Sequence, residues 1–255
     1  MTSPVTIARD RDGALLRLTL ARPKANIIDA QMVAALDEAL TEHADLPELK
    51  AVLLSAEGPH FSFGASVEEH LPDSCEEMIQ AIDALILRLV EYPVPVLAAV
   101  RGQCLGGGLE IASAAQMMFA APDARLGQPE IKLAVIAPAA SCLLPEKMGM
   151  ARACDLLFSG RSISAEEARS AGLVNRVVDD PEPAALNYFD SHLAPLSGAS
   201  LRHATTAARL GFTQRMRDKL AQVEALYLGE LMKTRDAVEG LTAFIEKRAA
   251  NWENR

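Results

Sequence analysis

Aromatic side chains are scarce, 4% of a 255-residue chain that is half hydrophobic. Ala, Leu and Val dominate instead, a balance that suits an α/β protein better than an all-β one. Long apolar runs are missing too: none reaches the roughly 18 residues that span a bilayer. The opening, MTSPVTIARDRDG, lacks the basic-then-apolar layout of a signal peptide. Both absences lead to the expectation of a cytoplasmic protein with no membrane partner. A basic excess is lacking as well. The net charge is −9, which argues against a nucleic-acid partner, because phosphate backbones need a basic face. A small anionic ligand needs only a few local Lys or Arg residues. The four cysteines, Cys75, Cys104, Cys142 and Cys154, show no CxxC spacing and read as free, mostly buried thiols. His60 and His70 stand too far apart for the helical two-turn metal motif and no third ligand joins them, so no metal is expected. Walker A, GxGxxG and GxSxG patterns are all absent, leaving nucleotide-phosphate folds and serine-hydrolase triads unsupported.

The elements that are present alternate. ALLRLTL (14–20) and AVLLS (51–55) read as short strands bounded by turn residues. Between them Asp29 precedes AQMVAALDEALTEH, an N-capped amphipathic helix. A second helix is predicted over 75–91, stopping at Tyr92-Pro93. VPVLAAV (94–100) is a continuous apolar run, the pattern of a strand buried on both faces. RGQCLGGGLEIASAAQ then reads as a glycine-rich turn opening a helix. Ser164 and Glu167 fit a capping box for a helix ending near Gly172, with VNRVV as the next strand. Strand, helix and strand in alternation predict parallel pairing through right-handed crossovers. DDPEP (179–183) reads as a boundary, and everything beyond it is helix-like, including 214–232 and 235–250. The expected organisation is an α/β core over 1–180 and a helical C-terminal region over 181–255.

Gly106-Gly107-Gly108 is the most informative local feature. Glycines at a helix start present bare backbone N–H groups with the helix dipole behind them. Such donors stabilise an oxyanion forming on a carbonyl. The same run serves equally as a tight turn where a strand and a helix pack closely. Glu110 falls in the first turn of that helix, where a carboxylate also answers the dipole. Glu130, after Gly127-Gln128-Pro129, taken alone is a surface loop residue. Their apolar company sets both apart, LEIASAA around one and IKLAVIAPAASCLL after the other. Desolvation there raises a carboxyl pKa towards the range useful for proton transfer. Gly64-Ala65-Ser66 supplies a second glycine turn.

Five blocks in order and spacing resemble the crotonase, or enoyl-CoA hydratase, superfamily: LARPKAN (20–26), FSFGAS (61–66), GQCLGGGLEIA (102–112), GQPEIKL (127–133) and SGRSISAEEARSAGLVNRVV (159–178). The resemblance spans nearly the whole chain. It implies an α/β crotonase-type spiral of stacked ββα turns with a helical C-terminal oligomerisation region, assembled as a trimer or a dimer of trimers. It implies an acyl-CoA thioester partner and no separate cofactor, coenzyme A being part of the substrate. By motif position the thioester oxygen sits between the N–H groups of Ala65 and Gly107. Glu110 and Glu130 correspond to the two carboxylates of true hydratases, with Glu130 as proton donor and Glu110 as the water-activating partner. Phe63, Gly64, Ser66, Val67, Gly106, Pro129 and Ala137 are carried over as acyl-CoA contacts. Lys24 and Ala25 match the adenine-proximal block, and Phe244 with Lys247 would reach the nucleotide of a neighbouring subunit. Solvated lysines and a core-packed Phe explain these residues equally well.

Two departures narrow the expectation. Where common members carry an IPGAGGTQR-like run, this chain has IAPAASCLLP (136–145), and Phe63 and Ser66 stand where Ala and Asp are usual. The first is expected to reshape a loop beside the proton donor, the second to place a ring near the acyl pocket. With EGPHFSFGASVEEHLP (57–72) and EKRAANWENR (246–255), these departures resemble a subfamily of anaerobic benzoyl-CoA degradation. Its members hydrate cyclohexa-1,5-diene-1-carbonyl-CoA to 6-hydroxycyclohex-1-ene-1-carbonyl-CoA. Attack at the β-carbon then leaves a dienolate protonated at its far end, which requires a repositioned donor. Hydration of linear enoyl-CoA, thioester hydrolysis and non-catalytic CoA binding are the rival expectations.

Overall fold

The computed structural model describes residues 3–255. Strands β1 (Val5–Asp10) and β2 (Leu15–Leu20) form an antiparallel hairpin. Helix α1 (Ala30–His43) returns the chain to β3 (Ala51–Ala56), parallel to β2, and α2 (Cys75–Glu91) leads likewise to β4 (Val96–Val100). The short β5 (Gln103–Leu105), α3 (Gly107–Ala114), β6 (Met117–Ala120) and β7 (Arg125–Gly127) follow. Next come α4 (Pro138–Met148), α5 (Met150–Ser159), β8 (Ser162–Ser164), α6 (Ala165–Ala171) and β9 (Arg176–Val177). Helices α7 (Pro181–Tyr188), α8 (Gly198–Gly229) and α9 (Arg235–Ile245) complete the chain.

The main sheet runs in the order β1-β2-β3-β4-β6-β9 and is parallel except for the first hairpin. A smaller sheet, β5-β7-β8, stands beside it. β4 shows why its run is apolar throughout. Val96, Ala98 and Val100 join the core beneath α1 and α2, while Leu97 and Ala99 point to the opposite face. That second face is covered by Ala185, Phe189, Leu193 and Leu201. The helical region beyond residue 180 therefore begins by completing the core of the sheet.

Local chemistry sets several ends. Asp29 caps α1 by accepting from the Met32 N–H at 2.9 Å, and Ser164 caps α6 by accepting from the Glu167 N–H at 3.1 Å. α8 begins at Gly198, well before the expected 214, and is anchored by buried Arg209. That guanidinium donates to the carbonyls of Val90 and Tyr92, the latter at 2.7 Å, satisfying groups left open at the end of α2. The run IAPAASCLLP, expected as a loop, is instead the start of α4. Pro138 occupies the first helical turn, where its missing N–H costs nothing. Among the described residues no helix is long and apolar enough to cross a membrane.

Candidate active site

The segment 61–66 runs alongside β5. The Ser62 N–H donates to the Gln103 carbonyl and the Leu105 N–H to the Ser62 carbonyl, each at 3.0 Å. The Ser62 hydroxyl donates to the Asn26 carbonyl at 2.8 Å and accepts from the Gly64 N–H at 3.1 Å. This lacing carries Ala65 against the start of α3. A Cβ on Gly107 would stand 3.3 Å from the Ala65 nitrogen, and one on Gly108 would fall 2.5 Å from Ser62 Cβ. Only glycine lets the helix start come so close.

The consequence is a pair of free donors. Around them, the Gly64 N–H is held by Ser62, the Ser66 N–H by the Ile28 carbonyl at 3.1 Å and the Gly106 N–H by the Gly127 carbonyl at 3.0 Å. The N–H groups of Ala65 and Gly107 donate to no group among the described residues. Side by side at a helix N-terminus, they suit an oxygen on which negative charge develops.

Glu110 lies one turn into α3 and is buried, 4% exposed. Its Oε1 accepts from the Ala140 N–H at 2.8 Å, at the N-terminus of α4. The altered run after Glu130 thus begins beside it, with Ile136 and Ala137 lining the same chamber, and continues as a helix start that grips Glu110. Glu130 itself sits in a tight turn, Pro129–Leu133, with its carboxylate over Gly106. A Cβ on Gly106 would run into Glu130 Oε1, and its φ of +50° independently favours glycine. Buried Gln128 faces the same carboxylate; with its amide nitrogen turned inward it donates to the two oxygens at 3.0 and 3.2 Å.

Both carboxyls titrate above the usual carboxylate range. For Glu110 the cause is burial, opposed by the Ala140 and Ala139 N–H groups. For Glu130 it is burial and then the charge of Glu110. Two such groups ionise as a unit. Ala65, Gly107, Glu110, Glu130 and Ala137 line one narrow inner chamber of about 10 Å³, together with Met78, Ile79, Ile82 and Asp83 from α2. The arrangement can polarise a carbonyl oxygen and move protons at the carbons next to it.

A cleft of about 600 Å³ leads outward from the chamber. Phe63, Gly64, Val67, Gly106 and Pro129 line it, as does Phe244 from α9. Phe63 is 43% exposed at this outer level, edge-on to His60 with ring centres 4.9 Å apart, so its ring is not in the inner chamber. Phe244 lines the cleft of its own chain and is 56% exposed. Ser66 turns its hydroxyl to Glu68 at 3.3 Å, and neither it nor Lys24, Ala25 or Lys247 lines the cleft. Ala25 stands behind the wall, its carbonyl accepting from the Phe63 N–H at 2.9 Å.

The sequence reading missed His70, Asp83, Gln128, Lys132, Arg248 and Trp252, all at the chamber, the cleft or the Glu130 carboxylate. One of them had a signal. Asp83 lies in the apolar stripe of α2 with Ile79, Ile82 and Ile86, where a carboxylate is out of pattern.

Comparison with known proteins agrees with this geometry. The family model for enoyl-CoA hydratase/isomerase matches residues 10–255. Cyclohexa-1,5-dienecarbonyl-CoA hydratase of Thauera aromatica is 60% identical over 254 residues, covering 100% of this chain and 98% of its own. A probable enoyl-CoA hydratase of Mycobacterium bovis is 33% identical over 254 residues, 98% of each chain. Among solved structures, an enoyl-CoA hydratase from Mycobacterium avium subsp. paratuberculosis matches with a TM-score of 0.87 and 24% identity over 100% of both chains. An enoyl-CoA hydratase/isomerase from Pseudoalteromonas atlantica gives 0.84 and 28% over 98% and 99%. The fold is of the crotonase type, as the sequence blocks implied. Matched along almost its whole length, the chain belongs to the enoyl-CoA hydratase/isomerase family.

Proposed function

We propose that the protein is a hydro-lyase that adds water to cyclohexa-1,5-diene-1-carbonyl-CoA, giving 6-hydroxycyclohex-1-ene-1-carbonyl-CoA in the breakdown of aromatic compounds. One observation carries the water-addition chemistry: the buried Glu110 carboxyl, the half-buried Glu130 carboxyl and two unpartnered N–H groups converge on a single chamber. The ring is supported by the 60% identity to the Thauera enzyme of that name.

An isolated alkene does not take water at neutral pH. Conjugation to a thioester lets the charge of the arriving oxygen flow to the carbonyl, where Ala65 and Gly107 receive it. Glu110 takes a proton from water as the oxygen bonds to the β-carbon. Glu130 is the donor beside the carbonyl for a linear enoyl thioester, whereas the cyclic dienolate takes its proton at the far ring carbon. Like charges in one chamber cannot both be present cheaply, so one carboxyl keeps its proton while the other acts as base.

The reading includes coenzyme A along the outer cleft, action in the cytoplasm and assembly as a trimer or dimer of trimers through the helical region 181–255. Free cysteines among the described residues favour a reducing compartment. Exposed Leu196, Leu210 and Leu226 favour a covered surface. Parallel assays with the cyclic dienoyl-CoA and with crotonyl-CoA test the substrate: the cyclic thioester is turned over with the higher kcat/KM. Preference for the linear substrate would make the protein a general enoyl-CoA hydratase. Release of free CoA would make it a hydrolase, and binding without turnover a non-catalytic member of the fold.

A further inference from the structure

The inner chamber holds a third carboxyl. Asp83 is 4% exposed, lines the chamber with Glu110 and Glu130, and lies on α2, a different element from those that carry the two. Its Oδ2 is buried without a hydrogen-bond partner, and it joins no ion pair among the described residues. A buried carboxyl left this way is costly to the fold, and the apolar wall of Met78, Ile79 and Ile82 around it would be completed by a hydrophobe.

We propose that Asp83 is a catalytic acid that protonates the far ring carbon of the dienolate. The inference rests on the cyclic-substrate reading. In a six-membered dienolate the far carbon lies opposite the carbon that takes the hydroxyl, away from the α-carbon that Glu130 serves. A donor on another wall of the chamber is required, and α2 supplies it. Burial, then the charges of Glu110 and Glu224, push Asp83 up to about 8, so it holds a proton at neutral pH.

The step balances without an outside reagent. The water oxygen bonds to the β-carbon as its proton passes to Glu110, and the alkene pair moves onto the thioester oxygen. That pair returns through the diene to form a C–H bond at the far carbon, while the Asp83 O–H bond breaks. Asp83 is left as a carboxylate and Glu110 as an acid. Transfer of that proton from Glu110 to Asp83 restores both, with Glu130 holding the water in line throughout.

The test compares Asp83→Asn and Asp83→Glu with the unaltered protein on cyclohexa-1,5-diene-1-carbonyl-CoA, together with the thermal midpoint of each. Asp83→Asn is expected to lower kcat by about a hundredfold or more, with KM changed by less than about threefold. Its thermal midpoint is expected to hold or rise, since the amide fills the same space and never ionises. Asp83→Glu, which keeps the acid, is expected to recover at least about tenfold over the Asn variant. An Asn variant as active as the unaltered protein overturns the proposal. A loss of turnover accompanied by a lower midpoint also overturns it, by making Asp83 structural. If the unaltered protein leaves the cyclic thioester untouched, the substrate reading itself fails and the role of Asp83 falls with it.

Discussion

At Glu110 the first turns of α3 and α4 meet, and the carboxylate that faces the chamber is held by a backbone N–H of the second helix. That hold fixes its direction, while burial keeps its proton affinity high. Replacing Glu110 by Gln keeps the shape and removes the base, and replacing Glu130 by Gln removes the carboxyl that holds the water in line. Each variant is expected to lose about 10²- to 10⁴-fold in kcat, with KM little changed, because the N–H groups of Ala65 and Gly107 still receive the thioester. Steady-state kinetics on the cyclic substrate reads both numbers. Gly106→Ala is a subtler probe: its Cβ would push on Glu130 Oε1, so kcat should fall about tenfold or more while the fold survives. Asp83 adds a stability signature. Its value rises from 3.8 to about 8 on folding, so across that window the folded chain holds a proton that the unfolded chain has released. Its contribution to stability is full below the unfolded value and is lost as pH rises through the folded one. Thermal midpoints measured against pH should therefore slope downward less steeply in Asp83→Asn than in the unaltered protein; parallel curves would contradict this.

Elements whose signals are local were legible from sequence. α1 and α2 announce themselves by helical periodicity and by the Asp29 cap, and β4 by an apolar run that two cores require. The three-residue strands β5, β7 and β8 were not legible, because each exists through its partner rather than through its own propensity. α4 was hidden by Pro138 and Pro145, which read as breakers. Pro138 is harmless in a first turn. Pro145 leaves the Ser141 carbonyl without its helical donor, and Lys219 of α8 donates to it at 2.7 Å. Ala65, Gly107, Glu110 and Glu130 could be named from motif blocks, since glycine turns and a carboxylate at a helix start leave a trace in the chain. Asp83 escaped because a charge in an amphipathic helix is ordinarily assigned to the wet face. The Arg209 anchor was invisible for the same reason. Arg209→Met would strand the Val90 and Tyr92 carbonyls at the end of α2, at a cost of about 1–3 kcal/mol. Urea unfolding checks it, with turnover of the folded protein expected to stay near normal.

On the scale of the whole molecule, one sheet is buried on both faces, and the site forms where the smaller sheet, α3 and α2 approach one another. α9 closes the cleft from outside: a Cβ on Gly240 would strike the Leu133 carbonyl, so this helix rides directly on the turn that carries Glu130. α8, by contrast, spans 32 residues of which few are buried, the pattern of a helix that another surface covers. Light scattering is expected to give three or six times the 27.3 kDa of the chain; a monomer at micromolar concentration would contradict the assembly proposed for the C-terminal helices. The chemistry has a sharper test. Cyclohexa-1,5-diene-1-carbonyl-CoA incubated with the protein in heavy water, with the product identified by NMR, reads activity, substrate and proton position together. Hydration by the carboxyls of this chamber predicts 6-hydroxycyclohex-1-ene-1-carbonyl-CoA bearing one solvent deuterium on the ring carbon opposite the hydroxyl. Unchanged thioester, or free CoA in place of the alcohol, would contradict it.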